Sequence, residues 1–174
     1  MPDLVITLIG PDRPGLVEAV ATTVADHHGN WLEGRMAHLA GKFAGILRVE
    51  LPADRVPALQ AALAKLESRG LKVTAEAGGA AADGGFRTME VELLGLDRPG
   101  LVREISGLLA ARRVNVEELS TDLYSAPMSG DTMFRARARV NVPPSVDEHE
   151  LRESLERLAG DLMVQIRLAE AAGA

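Results

Sequence analysis

The chain has 174 residues, with 25 acidic and 19 basic side chains, a formal net charge of −6, five aromatic residues and no cysteine. An acidic balance opposes direct nucleic-acid binding, which needs cationic groups to displace condensed counterions, and so few aromatics cannot build a base-stacking platform. Without cysteine there is no disulfide framework, thiolate nucleophile or cysteine metal site. The start, Met1-Pro2-Asp3-Leu4, lacks a basic flank and a signal-type apolar core, and no apolar run approaches the roughly 18 residues of a membrane helix, so a soluble cytoplasmic protein is expected.

Leu4 to Ile9 is a short β-branched-rich run that suits a buried strand and stops at Gly10-Pro11. The stretch Gly10-Pro11-Asp12-Arg13-Pro14-Gly15-Leu16-Val17 then reads as a tight turn onto a helix start. In it Asp12 is a candidate cap for the free first-turn amides, proline is tolerated, and glycine leaves backbone N–H groups unobstructed. Such a helix start carries partial positive charge and can receive a carboxylate or phosphate; it can equally be only a well-made turn. Leu16, Val17, Val20, Ala21 and Val24 recur at helical spacing, His27-His28 falls at the carbonyl end, and Gly29 is placed to take a left-handed cap. Adjacent histidines point in different directions on a helix, which argues against a metal pair. The pattern changes toward period two over Asn30 to Ala40 and Lys42 to Leu51, with Ala40-Gly41-Lys42 as the hairpin and Phe43, Gly45, Leu47, Val49 and Leu51 on one face. Asp54 is a candidate cap for the next helix, whose stripe is Val56, Leu59, Ala62, Leu63 and Leu66. Gly70 ends that helix, and Leu71, Val73 and Ala75 alternate with Lys72, Thr74 and Glu76 in a fourth strand.

Residues 77–85 carry no large side chain and no periodicity, so they read as a linker between a domain at 1–76 and a second at 86–174. The order then repeats, and the turn returns 85 residues on as Gly95-Leu96-Asp97-Arg98-Pro99-Gly100-Leu101-Val102. Met89, Val91 and Leu93 form the strand before it, and Leu101, Val102, Ile105, Leu108 and Leu109 the helix stripe after it. Val114 stands where the first copy has Gly29, so a different cap is expected there. A second strand runs from about Asn115 to Leu123. In the third, Phe134, Ala136, Ala138, Val140 and Val142 alternate with Arg135, Arg137, Arg139 and Asn141. That arginine row is either an anion-binding stripe or, in keeping with the acidic total, a solvated face paired with acids on neighbouring strands. Ser145 with Glu148 reads as a capping box before the stripe Leu151, Leu155 and Leu158; Gly160 breaks the helix, and Val164, Ile166 and Leu168 supply the last strand.

Strand, helix, strand, strand, helix, strand, taken twice, implies an α+β chain of two ferredoxin-like βαββαβ domains, each a four-stranded antiparallel sheet with both helices on one face. Many functions use that fold, so function must come from the site. Asp-Arg-Pro-Gly-Leu-Val after the first strand, with Asn30 and Asn115 opening the second, resembles the ACT domain, a regulatory module that commonly senses amino acids. The repeat offset grows from 85 at the turn to 91 by Leu51-Pro52 and Val142-Pro143, so the second unit has gained six residues between its second and third strands. The added material includes Ser125-Ala126-Pro127-Met128-Ser129-Gly130, either a lid or partner surface or a plain extended hairpin connection. A tandem-ACT chain with such a loop resembles the glycine cleavage system transcriptional repressor family, whose members act on a DNA-bound activator rather than on DNA.

The resemblance implies ligand contacts from Asp12, Pro14, Gly15, Leu16 and Asn30 in the first unit and Asp97, Pro99, Gly100, Leu101 and Asn115 in the second, where the turn of one unit meets a neighbour. Arg13 and Arg98 can hold a carboxylate or face solvent. The implied ligand is a small amino acid, glycine by analogy; the implied partner is a protein such as a transcriptional activator, with no direct nucleic acid, no membrane, no cofactor, no metal and a homo-oligomer. The alternative is a freestanding ACT regulatory subunit of an amino-acid metabolic enzyme. Catalysis by the chain itself is not expected, because the carboxylates, Ser125, Ser129 and the four histidines show no spaced set of nucleophile, base and orienter.

Overall fold

Alternation of apolar and polar residues builds two four-stranded antiparallel sheets in the computed structural model, which describes residues 2–80 and 84–172. The chain divides into two compact units, Met1–Ala81 and Ala82–Ala174. The first contains β1 (Asp3–Pro11), α1 (Leu16–Asp26), β2 (Asn30–Leu39), β3 (Lys42–Glu50), α2 (Val56–Ala64) and β4 (Lys72–Ala77), with single 3-10 turns on either side of α2. The second contains β5 (Arg87–Leu96), α3 (Leu101–Ala111), β6 (Asn115–Ser125), β7 (Thr132–Val142), α4 (Glu148–Leu162) and β8 (Gln165–Glu170). Strand orders β2-β3-β1-β4 and β6-β7-β5-β8 are the same arrangement made twice, and each is ferredoxin-like.

One face of each sheet is buried beneath its helices. Leu4, Ile6 and Leu8 of β1 and Leu47 and Val49 of β3 pack with Leu16, Val20 and Val24 of α1 and Leu59 and Leu63 of α2. Met89, Val91, Leu93, Val140 and Val142 do the same beneath Leu101, Ile105, Leu109, Leu151 and Leu155. Each fully buried leucine contributes about 1.5–3 kcal/mol by leaving water, so these stripes are what hold each small unit together.

The caps differ from the sequence reading in instructive ways. Gly15 (φ 86°) and Gly100 (φ 95°) occupy the N-cap positions in the left-handed region, and no side chain bonds either helix start. Asp12 lies too far upstream to cap α1, and Pro14 precedes the helix. Asp54 caps nothing, because a 3-10 turn at Ala53–Arg55 intervenes before α2. Asp147 rather than Ser145 caps α4, accepting from the Glu150 amide at 3.0 Å. α4 runs through Gly160 and ends at Met163 (φ 53°), since a lone glycine costs only about 1 kcal/mol in a helix that has a stripe to bury. α1 and α3 end alike: His28 (φ 60°) and Arg113 (φ 58°) are the left-handed residues, and the Gly29 and Val114 amides donate back to Val24 and Leu109, each at 2.9 Å. Gly29 is therefore not the cap residue. It is small because a β-carbon there would sit 2.7 Å from Val24 Cγ1.

The hairpins account for the repeat offset. Ala40 (φ 49°) and Gly41 (φ 76°) make the two-residue turn between β2 and β3 whose positive dihedrals match strand twist. β6 and β7 carry one further pair, Ser125 with Thr132, and residues 126–131 close the loop. Gly10 and Gly95, which open the repeated motif, mark close approach. A β-carbon on Gly10 would lie 2.7 Å from the Gly70 carbonyl oxygen, and one on Gly95 would lie 2.9 Å from Val164 Cβ. Val164 is β-branched and fixed at the end of α4, so it cannot swing clear. Gly95→Ala is expected to destabilise the second unit by about 1–3 kcal/mol in urea unfolding, whereas Gly107→Ala, which meets nothing within 4 Å, is expected to be neutral or slightly stabilising.

Candidate ligand-binding turns

Each central strand must leave the sheet and enter a helix over a few exposed residues. The Asp12 amide donates to the Gly41 carbonyl at 3.0 Å, and the Asp97 amide donates to the Thr132 carbonyl at 2.9 Å, so each turn is pinned to the end of the neighbouring hairpin. Asp12, Pro14, Asp97 and Pro99 are exposed, as is Gly15, while Gly100 is half-buried. Leu16 and Leu101 are buried, 7% and 2% exposed, so their side chains belong to the cores and only their backbone amides face the turn. The first amides of any helix lack an intrahelical acceptor, and here no side chain supplies one. In the same chain Asp147 closes the start of α4. The difference leaves α1 and α3 with open, partly positive ends.

Two features missed in the sequence distinguish those ends: a carboxylate stands beside the first, whereas at the second the Arg103 guanidinium lies 3.7 Å from the point a Gly100 β-carbon would occupy. Glu18 and Glu104 lie in the first turns of α1 and α3. Glu18 Oε2 comes within 4.0 Å of the point a Gly15 β-carbon would occupy, and Glu104 pairs with Arg103 at 3.0 Å. An acidic residue within four positions of each turn glycine was the available signal. Asp12 Oδ2 also lies 3.6 Å from His38 Nε2. At the first turn, amide donors beside carboxylates suit a zwitterion better than a simple anion; at the second, Arg103 adds a cation for a carboxylate.

Arg13 and Arg98 face away from the helix starts. Arg98 Nη2 donates to the Leu162 carbonyl at 3.5 Å, at the C-terminal end of α4. Arg13 Nη2 passes 3.6 Å from the position of a Gly70 β-carbon, at the corresponding place after α2. Both sit where cations complement a helix C-terminus.

Asn30 and Asn115 lie elsewhere. Asn30 pairs with Glu50, which pairs with Asp3, whereas the turn follows Pro11 at the far end of β1. Eight residues of strand separate the ends, about 26 Å at roughly 3.3 Å per residue. Asn115 pairs with Asn141, which pairs with Thr88, at the corresponding end of the second sheet. Within one unit, therefore, no ligand of amino-acid size touches both the turn and the asparagine. Asn30 Nδ2 donates instead to Glu50 Oε1 at 3.1 Å.

The added loop stands beside the second turn, because Thr132 both follows the loop and holds Asp97. Its amides are internally engaged: Ala126 donates to the Asp131 carbonyl at 2.9 Å and Gly130 to the Ala126 carbonyl at 3.0 Å, leaving Met128 fully exposed at the tip. Two other hollows fit an amino acid poorly. A space of about 20 Å³ under Val102, Val116 and Leu119 has no room for one. An open hollow of about 730 Å³ beside Arg87, Glu148 and Arg152 has its charges matched, with Glu148 bound by Arg87 at 3.2 Å and by Arg152 at 3.0 Å. Among the described residues no group of three or more metal-ligating His, Asp or Glu comes together, and no helix is long and apolar enough to cross a membrane.

The arginine row is a paired face. Arg135 Nε donates to Asp122 Oδ1 at 3.0 Å, Arg137 Nε to Glu92 Oε2 at 3.1 Å, and Arg139 Nε lies 3.9 Å from Glu117 Oε2. The Arg135 hydrogen bond holds the Asp122 carboxyl below its ordinary value, with a smaller opposing push from desolvation and further lowering by the charges of Arg135 and Arg137. A lowered carboxyl pKa gives a contribution to stability that is present above the unfolded value of 3.8 and fades as pH falls through the folded one. In an NMR titration the Asp122 carboxyl carbon is expected to turn over below the usual carboxylate range, and Arg135→Met is expected to return it there.

Residues 2–76 match the family model of the ACT domain. The second unit repeats its element order, strand order and turn, so the chain is two copies of one ferredoxin-like arrangement, the first of which matches the ACT domain. Its whole length superposes on an unknown protein from Galdieria sulphuraria with a TM-score of 0.83 and 29% identity, covering 98% of this chain and 99% of that one. It also superposes on a structure described as that of a proposed glycine cleavage system transcriptional repressor, with a TM-score of 0.74 and 22% identity, covering 99% of this chain and 98% of that one. No curated protein matches the chain.

Proposed function

We propose that the chain is a non-catalytic regulator that senses a small amino acid at its helix-start turns and acts through a protein partner rather than by binding DNA itself. The observation that carries the reading is the open helix start, made twice: a left-handed glycine, no side-chain cap, and an amide-to-hairpin bond that fixes the turn. The first-turn amides offer donors to an α-carboxylate, and Asp12 with Glu18 at the first turn, or Asp97 at the second, offers carboxylates to the α-ammonium. ACT architecture supports amino-acid sensing, and the likeness in fold to a proposed glycine cleavage repressor makes glycine the first ligand to try. A ligand that prefers one of two packings of the chain would shift affinity for the partner by that difference alone. A freestanding regulatory subunit of an amino-acid metabolic enzyme is the second reading, and it rests on the same turns.

Isothermal titration of the full chain with glycine and the other common amino acids is expected to give heat with one or a few of them. Gly100→Val removes the left-handed conformation, at a stability cost of about 1–2 kcal/mol, and is expected to abolish binding at the second turn; Gly15→Val does the same at the first, so the stoichiometries of the two variants assign the sites. Absence of heat or thermal shift with every amino acid would falsify the sensor reading. Pull-down from native extract then names the partner, with a transcription factor expected under the first reading and an enzyme under the second.

A further inference from the structure

The two units dress the helix-free faces of their sheets differently. In the second, arginines alternate with acids that hold them within the sheet. In the first, Val5, Ile9, Ala37, Ala44 and Ile46, with Leu39 at the hairpin end, give the open side apolar surface around a central row that also holds Thr7, Thr74 and Arg35; Ile9 is 49%, Ile46 48% and Leu39 79% exposed. Charge is otherwise segregated to the two ends. Asp3, Glu33, Glu50 and Glu76 lie where β1 begins, with Arg48 among them held by Asp3 at 3.6 Å, and Lys42 and Lys72 lie where β1 finishes. About its central row the register sets two acids of the face opposite two lysines, while Asp3, Glu33 and Arg48 stand opposite Pro11, Ala37 and Ala44. Thr74 faces Thr7, which faces Ile46; on either side of that row Lys72 faces Ile9 while Glu76 faces Val5, and Lys42 faces Pro11 while Glu50 faces Asp3.

We infer that this face binds a second copy of the chain, sheet on sheet, about a two-fold axis running along the Thr74, Thr7 and Ile46 row. Such an axis reverses the strands of one copy relative to the other. It sets Lys72 over the partner's Glu76 and Lys42 over the partner's Glu50, with the isoleucines between them. An axis parallel to the strands would stack acid on acid, so the charges select the first arrangement. Sheets pack about 10 Å apart with their strands turned by about 30°, which carries Arg35, at the outer end of the row, away from the partner's Arg35. A different protein would have to reproduce this opposition of acids and lysines, whereas a second copy presents it by symmetry. The second unit's open face does not serve, because its arginines are already matched within their own sheet.

Sedimentation equilibrium of the full chain at about 50 mM salt tests this, since pairing across the face weakens as salt screens it. The wild-type chain is expected to be a dimer at micromolar concentration. Ile46→Glu and Ile9→Glu are expected to raise the dissociation constant by at least about tenfold with an unchanged far-ultraviolet circular dichroism spectrum. Lys72→Glu and Glu76→Lys should each weaken the dimer, and the double variant K72E/E76K should recover it, a rescue that no loss of folding reproduces. Arg137→Glu, on the other unit's face, is the control and is expected to leave association unchanged. A wild-type chain that stays monomeric at about 100 μM, a dimer indifferent to Ile46→Glu, or a double variant no better than its singles overturns the inference. Amino-acid binding enters none of these outcomes.

Discussion

The structure depends on how a central strand leaves its sheet. β1 and β5 each have a paired strand on either side and helices over one face, so at their ends there is room for backbone but not for side chains. Gly10 and Gly95 let the strand end pass beneath the connection out of the second helix, and Gly15 and Gly100 then turn the chain through the left-handed region into α1 and α3. Between them one amide fixes the turn to the hairpin. These are packing and dihedral requirements, and they would preserve the motif even in a unit that bound nothing. What is added to them is a pair of helix starts that no side chain closes, on which the proposed function rests.

Duplication made the units alike where the backbone is constrained and let them diverge where it is not. Both carry the same strand order, the same turn bond and the same left-handed ending of the first helix, although that ending uses His28 in one and Arg113 in the other. They differ on surfaces. The first unit has a two-residue hairpin and an apolar open face with charges at its ends; the second has a six-residue loop beside its turn and a face of matched ions. In the first, Trp31 lies against Gly34, its indole 3.1 Å from where a β-carbon would be; the corresponding positions of the second are Val116 and Leu119, which leave only a small apolar space.

Much of the fold was legible because it rests on periodicity. Alternation in Leu4 to Ile9 and in Phe134 to Val142, and helical spacing in Leu59, Leu63 and Leu66, fix which side of each element is buried wherever the chain finds its partners. The repeat and its six-residue offset likewise placed the hairpin extension from letters alone. Capping was less legible, because a cap depends on where the first helical residue falls, and a shift of one to three positions disqualifies Asp12, Asp54 and Ser145.

Sequence by itself therefore determined a doubled βαββαβ chain, its buried stripes and the two turns, since local dihedral preference and burial of apolar surface need no knowledge of distant residues. Only tertiary structure decided that Asn30 stands at the opposite end of the sheet from Gly15, that Arg98 serves a helix C-terminus, and that the arginines of β7 are paired with acids. Each of these depends on strand register and on which elements become neighbours, and long-range pairing sets those where local sequence is silent.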